Sequence, residues 1–516
     1  MAEKENKPTT LWIKQQTKEL LDKFGNKGET YDDIINRLIS QSKGIIPLKM
    51  NNLKLYRQGV EARPFFVSMP YNSALKRLGK KTSFAYYTGK KNYSYWDQHI
   101  TTKIANEEIM KHIKDGAYIQ KMISEWENLV EKQIETEKNL NAENLKQFDD
   151  DELIIKLKDF VKIIQKIWEI GIFIELFDPD SEGIILNILN RYDKTNLSQK
   201  EFQKLCTPLM LTNIQKEQIS IYEITEKKDF EKIEEHARQY FWIKNTWADA
   251  VLLDKSYFRA KVARLMEENI DFKSEKEKHC KQLDELIKDK KKILCTRRLS
   301  VKIRRAVEFF EIMTEWREKR KKYAQISNHF LNMFAEEISK RFEVQKDLIM
   351  QADPMELKLP LSENFISKLK ERSKICLQYA DDDGTHFITG KIVEEFIKDI
   401  KEKTERPASR LYGNTANPGK AEGIAKIIFT TSDMHKMEKG DILVSPCTRP
   451  EYLPAMKLAK AIITDEGGIT SHAAIVSREL GVPCIVGLRN ATDLIKDDDF
   501  IEVNANHGVV NVVKKN

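Results

Sequence analysis

The sequence predicts a multidomain protein: a large all-α domain, then a compact C-terminal α/β or β/β/α domain, with a small strand–helix–helix unit in front. Three observations predict it. From about residue 53 to about 401 the chain carries apolar stripes at helical spacing and little glycine. After residue 412 the texture changes to short β-type runs separated by turns. The first forty or so residues form a short pattern of their own. With 516 residues, 41% of them hydrophobic, the chain has material for more than one core.

Taken in order, residues 1–44 read as the first unit. Thr9–Lys14 alternates as a short strand, Gln15–Phe24 has helix-period apolar positions, and "GNKGET" supplies a turn. Thr30 caps a second helix carrying Ile34, Ile35, Leu38 and Ile39. Residues 45–401 read as the helical domain, with no sheet-like run of strands. Its clearest stripe is "DELIIKLKDFVKIIQKIWEIG", where Leu153, Ile154, Leu157, Phe160, Val161, Ile164, Ile167 and Trp168 fall on one helix face. Residues Phe272–Lys292 and Ala306–Val344 repeat the pattern. Residues 402–412, with Pro407 and small polar neighbours, read as a linker. Residues 413–516 hold the β-type runs "AEGIAKIIF", "GDILVSP", "KAIITD", "PCIVG" and "GVVNVV", with two helical segments between them.

Bulk properties narrow the function classes. A net charge of +7 is small for this length and does not by itself argue for nucleic acid. Six scattered cysteines without a C-x-x-C pair argue against a disulfide framework or a zinc site and fit a reduced, cytoplasmic compartment. The start, "MAEKENKPTT", has no apolar signal region, and "IWEIGIFIELF" is too short and too charged to span a bilayer, so no membrane role is expected. In "FDPDSEG", Asp178, Asp180 and Glu182 read as a capped turn rather than a metal site, and no metal ligand set is expected.

The stretch "TDEGGITSHAAIVSRELG" carries the chemistry. Gly467 and Gly468 form a turn in which backbone can approach a ligand closely. Thr470 or Ser471 caps the next helix, whose end is marked by Gly481 and Pro483. His472 therefore lies in the first turn of a helix, where unpaired N–H groups and the dipole favour an anion such as phosphate. A neutral imidazole is a nucleophile, and its phosphoramidate is labile enough for onward transfer. Thr470 and Ser471 have hydroxyls to offer phosphoryl oxygens. A lone histidine here would read as a structural helix residue; the surrounding cluster argues for chemistry.

"GGITSHAAIVSRELGVPCIVG", with the upstream "GNTANPGKAEGIAKII" and "GDILVSPCTRPEYLPAMKLAKAIITDEGG", resembles the phosphohistidine mobile, or swivelling, domain of the phosphoenolpyruvate-utilising enzymes. The resemblance implies a swivelling β/β/α phosphohistidine domain over about 413–513. It makes His472 the phosphorylated residue, with Thr470 and the Gly467–Gly468 pair as phosphate-contacting neighbours. Ser477 and Glu451 depart from the family's usual alanine and aspartate without removing a group the transfer needs.

Family members usually pair this domain with an ATP-grasp domain, and many add a phosphoenolpyruvate-binding barrel of roughly 250 residues. Neither is found in the sequence. The expected arrangement resembles rifampin phosphotransferase or phosphoenolpyruvate synthase without those parts. It implies a phosphotransferase component that carries a phosphoryl group on His472 from a separate ATP-grasp protein, with ATP and Mg²⁺ at that partner and no cofactor bound here. The acceptor would be a small molecule of unknown identity on the helical domain. Candidate acceptor contacts are Arg297, Arg298, Arg304 and Trp242, with solvated faces and aromatic core as the plainer reading of each.

The N-terminal unit resembles a ribbon-helix-helix module, which implies DNA contacts at Thr10, Trp12 and Lys14, or a homodimerising or docking tail. Two further readings stand beside the carrier: a regulatory DNA-binding protein switched by phosphorylation of His472, and a non-catalytic scaffold.

Overall fold

The computed structural model describes residues 55–514 except 79–83, 178–179, 269, 382–383, 405–409 and 469–470. The N-terminal unit, with Thr10, Trp12 and Lys14, lies outside the described residues, and so does Thr470.

The body begins with strand β1 (Leu55–Glu61) and helix α1 (Pro64–Leu78). The hairpin β2 (Phe84–Thr88) and β3 (Lys91–Asp97) follows, joined by a two-residue turn that sets Gly89 at φ +61°. Then come α2 (Gln98–Lys114), α3 (Tyr118–Glu137), α4 (Asp150–Gly171), α5 (Ser181–Tyr192), α6 (Asn213–Lys227), α7 (Ile233–Tyr240), α8 (Lys255–Glu267), α9 (Phe272–Thr296) and α10 (Val301–Arg341). At about 1.5 Å per residue, α10 is a rod of about 60 Å. It packs against α2, α3, α4 and α5. The α4 stripe is buried as its period predicts, and Asp149 caps it by accepting from the Glu152 N–H at 2.8 Å. Helices α6, α7 and α8 form a smaller core of their own around Ile221, Tyr240 and Phe258.

The body is not all-α. Strands β4 (Cys376–Asp381) and β5 (Gly384–Thr389) return to the first three strands and build an antiparallel sheet of order β1-β3-β2-β4-β5, closed by helix α11 (Lys391–Thr404). One sheet face, with Ala85, Tyr87 and Trp96, joins the helical core. The other, with Phe84, Tyr86, Tyr95, Leu377 and Tyr379, packs on Val393, Ile397 and Ile400 of α11. Both faces are buried, so "FAYYT" and "YSYWD" show no apolar–polar alternation, and the expectation of a sheet-free body fails for that reason.

The C-terminal domain is an eight-stranded mixed sheet of order β6-β13-β12-β8-β9-β10-β11-β7. Its strands are β6 (Arg410–Tyr412), β7 (Asn414–Asn417), β8 (Lys420–Ile427), β9 (Ile442–Ser445), β10 (Ala461–Thr464), β11 (Cys484–Val486), β12 (Phe500–Asn504) and β13 (Val509–Lys514). The central four, β8-β9-β10-β11, are parallel, and the outer pairings are antiparallel. Helix α12 (Leu453–Leu458) connects β9 to β10, and α13 (His472–Leu480) connects β10 to β11. Five of these strands match the predicted β-type runs. The short β6 and β7, and β12, escape the pattern. Between the two domains, α11 runs to Thr404 and β6 starts at Arg410, inside the stretch read as a linker.

Candidate functional site

The site forms at the carboxyl ends of the parallel strands, the usual ligand position in such sheets. Strand β10 ends at Thr464, whose hydroxyl donates to the Glu466 carbonyl at 2.6 Å and starts the turn. Gly467 takes φ +98°, and a Cβ there would lie 2.8 Å from the Ser471 Cβ, so only glycine fits. Ser471 is the helix cap, its hydroxyl accepting from the Ala474 N–H at 3.4 Å; Gly481 closes α13 at φ +67°. His472 is thus the first residue of α13, beside the free N–H groups of that terminus.

The imidazole is held from a second segment. Thr448, buried in the turn after β9, places its hydroxyl 2.9 Å from His472 Nδ1. Among the described residues, Nε2 has no hydrogen-bond partner. Burial pushes the His472 pKa down to about 4, and the Lys321 ammonium of α10 adds to the shift. The ring is therefore neutral at ordinary pH and keeps a nitrogen lone pair.

Lys321 belongs to the body, so the histidine faces the other domain. Gly468 comes just as close to that surface: a Cβ on it would lie 3.6 Å from the Ser181 hydroxyl at the start of α5. Lys321 has no carboxylate partner among the described residues. Aromatic contact extends the seam, with the Tyr93 and Phe429 ring centroids 5.2 Å apart.

The residues predicted to bind an acceptor sit elsewhere. The Arg297 guanidinium donates to Glu201 and to the Thr195 carbonyl (2.6 Å), and Arg304 donates to the Leu299 carbonyl at 3.3 Å. Arg298 is exposed. Trp242 is buried in the body and donates to the Gln239 carbonyl at 2.9 Å. Arg304 and Lys321 share α10 but stand about 25 Å apart along its axis. The structure brings together His472, Ser471, Gly467 and Gly468. Thr448 and Lys321 join them unforeseen: Thr448 lies inside "CTRPEYLP", and Lys321 is one cation in the run "REKRKKY". Among the described residues, no group of three or more His, Cys, Asp or Glu side chains is arranged to hold a metal ion, and no helix is long and apolar enough to cross a membrane.

Comparison with known proteins agrees with this geometry. Residues 437–508 match the family described as PEP-utilising enzyme, mobile domain. The C-terminal region is a PEP-utilising mobile, phosphohistidine domain. The chain aligns at 44% identity over 137 residues with phosphoenolpyruvate synthase of Pyrococcus furiosus, covering 26% of this chain and 17% of the relative. A probable phosphoenolpyruvate synthase of Methanothermobacter thermautotrophicus is 52% identical over 116 residues, 22% of this chain and 17% of that one. The uncharacterized phosphotransferase YvkC of Bacillus subtilis is 38% identical over 125 residues, 24% and 15% of the two chains. The chain thus spans less than a fifth of the length of each relative. Residues 8–41 match a family of unknown function, DUF7557.

Proposed function

We propose that this chain is a phosphotransferase component in which His472 carries a phosphoryl group from a separate ATP-dependent protein to an acceptor on the helical body. The observation that carries the reading is a neutral imidazole, hydrogen-bonded through Nδ1 and placed at a helix N-terminus inside a phosphohistidine domain. With the proton on Nδ1 and donated to Thr448, the Nε2 lone pair is the nucleophile. It attacks phosphorus, an N–P bond forms, and the donor's bridging oxygen leaves with the bonding electrons of the broken P–O bond. The second transfer reverses this: an acceptor oxygen bonds to phosphorus, loses its proton, and Nε2 regains its lone pair. The N–H groups of α13 and the Ser471 hydroxyl favour the phosphoryl charge, and Thr470 is proposed to contribute its hydroxyl. Lys321 supplies a cation from the body when the domains are docked. ATP and Mg²⁺ are assigned to the partner, of ATP-grasp type.

Incubation with ATP, Mg²⁺ and extract of the native cell at alkaline pH tests this by intact mass. The expected result is an acid-labile gain of one phosphoryl group, absent in His472→Ala. No gain beside an active control enzyme overturns the carrier reading and leaves a scaffold.

A further inference from the structure

Strand β1 of the body faces the mobile domain across the seam between them. Arg57 of β1 is nearly buried. Its guanidinium is bonded to the Asp493 carboxylate, lies 3.8 Å from Asp465 Oδ2, and sits 4.7 Å from the centre of the Tyr93 ring. Two residues on, the Gly59 N–H donates to Glu466 Oε1 at 2.5 Å, and its carbonyl faces Cys447 Sγ at 3.9 Å. Two further on, Glu61 Oε2 lies 3.8 Å from Arg449 Nη1. Alternate residues of a strand share a face, so Arg57, Gly59 and Glu61 present one edge-on row to the mobile domain.

What that row touches is specific. Asp465 and Glu466 immediately precede Gly467 in the histidine turn, and Cys447 and Arg449 flank Thr448. Asp465 also accepts from the Thr492 N–H at 2.9 Å and so ties the turn to the Asp493 segment. The body therefore grips both segments that hold His472.

We propose that β1 is a docking strand with Arg57 as its latch, closing the mobile domain on the body and setting the histidine turn, so that His472 meets an outside phosphoryl donor only after the latch opens. The gating rests on the carrier reading; the latch itself does not. Opening is reversible for a physical reason. A buried ion pair gains little net free energy, because the charges recover their hydration when the surfaces part. Removing only the cation is different, since it leaves two carboxylates, Asp465 and Asp493, in the closed seam without the Arg57 charge between them and drives it open.

Hydrogen exchange on the full chain tests the latch, together with peptide-resolved alkylation of Cys447 by N-ethylmaleimide. Arg57→Gln and Asp493→Asn, from opposite sides of the seam, are each expected to speed exchange in 55–61 and 465–471. Each is also expected to speed Cys447 alkylation at least about tenfold, while α4 and α10 keep wild-type protection. Arg238→Gln, on the exposed surface of α7, serves as the control. Wild-type rates at the seam in both variants overturn the proposal. So does a loss of protection spread evenly through α4 and α10, which would make Arg57 a folding residue. None of these readouts requires phosphate on His472, so failure of the carrier reading shows separately, as a missing mass gain.

Discussion

Replacing Thr448 by valine removes the one hydrogen bond that the His472 ring makes among the described residues and little else, because the two side chains share a shape. In the proposed tautomer Nδ1 donates to the Thr448 oxygen, 2.9 Å away, as a neutral imidazole, a bond of about 1 kcal/mol net. As Nε2 bonds to phosphorus the ring gains positive charge and the same bond becomes charge-assisted, at about 1.5–3 kcal/mol. Only the difference, about 0.5–2 kcal/mol, lowers the barrier. Thr448→Val should therefore slow phosphorylation by roughly 2- to 30-fold. Phosphoramidate, a small chemical phosphoryl donor, allows the rate to be measured without the native partner, with peptide mass spectrometry separating His472 from the other histidines. Thr448→Ser keeps the oxygen and should react at close to the wild-type rate. A valine variant as fast as wild type, or a serine variant as slow as valine, would refute the assignment of Nδ1 to Thr448 and of the nucleophile to Nε2.

Further outcomes follow from the same geometry. By NMR titration the His472 ring of the closed chain should titrate at about 4 and not near 6.5, because it is buried against the body; a midpoint near 6.5 would mean an exposed ring. The sign for stability is the same: the unfolded chain binds this proton first, so stability is lost as pH falls below about 6.5, by at most about 3 kcal/mol at pH 4. His472→Ala should flatten that part of a urea-unfolding pH profile. Lys321→Met removes the cation facing the ring and should raise the His472 pKa, read by NMR titration; an unchanged pKa would remove Lys321 from the site. Gly467→Ala must hold alanine at φ +98° against Ser471, costing about 1–3 kcal/mol in the turn, and should abolish phosphorylation with the body still folded by circular dichroism.

What the sequence determined is local. The order of β10, glycine turn, Ser471 cap, His472 and α13 follows from residues within a few positions of one another, and so does the buried stripe of α4, because helical and turn geometry act over three or four residues. The motif also placed Gly467, whose backbone only glycine adopts. What the tertiary structure decided is everything that two separately folded surfaces create on meeting. Strands β2 and β4 pair although most of the body lies between them in the chain, and with both sheet faces buried no alternation announces them. Lys321 is one of several cations in "REKRKKY", and nothing in that run marks it as the one whose charge acts on His472. Arg57 is an ordinary strand residue until the mobile domain sets two carboxylates around it. Spacing along the chain encodes each element's buried face; which charge meets which histidine is settled by how those faces pack.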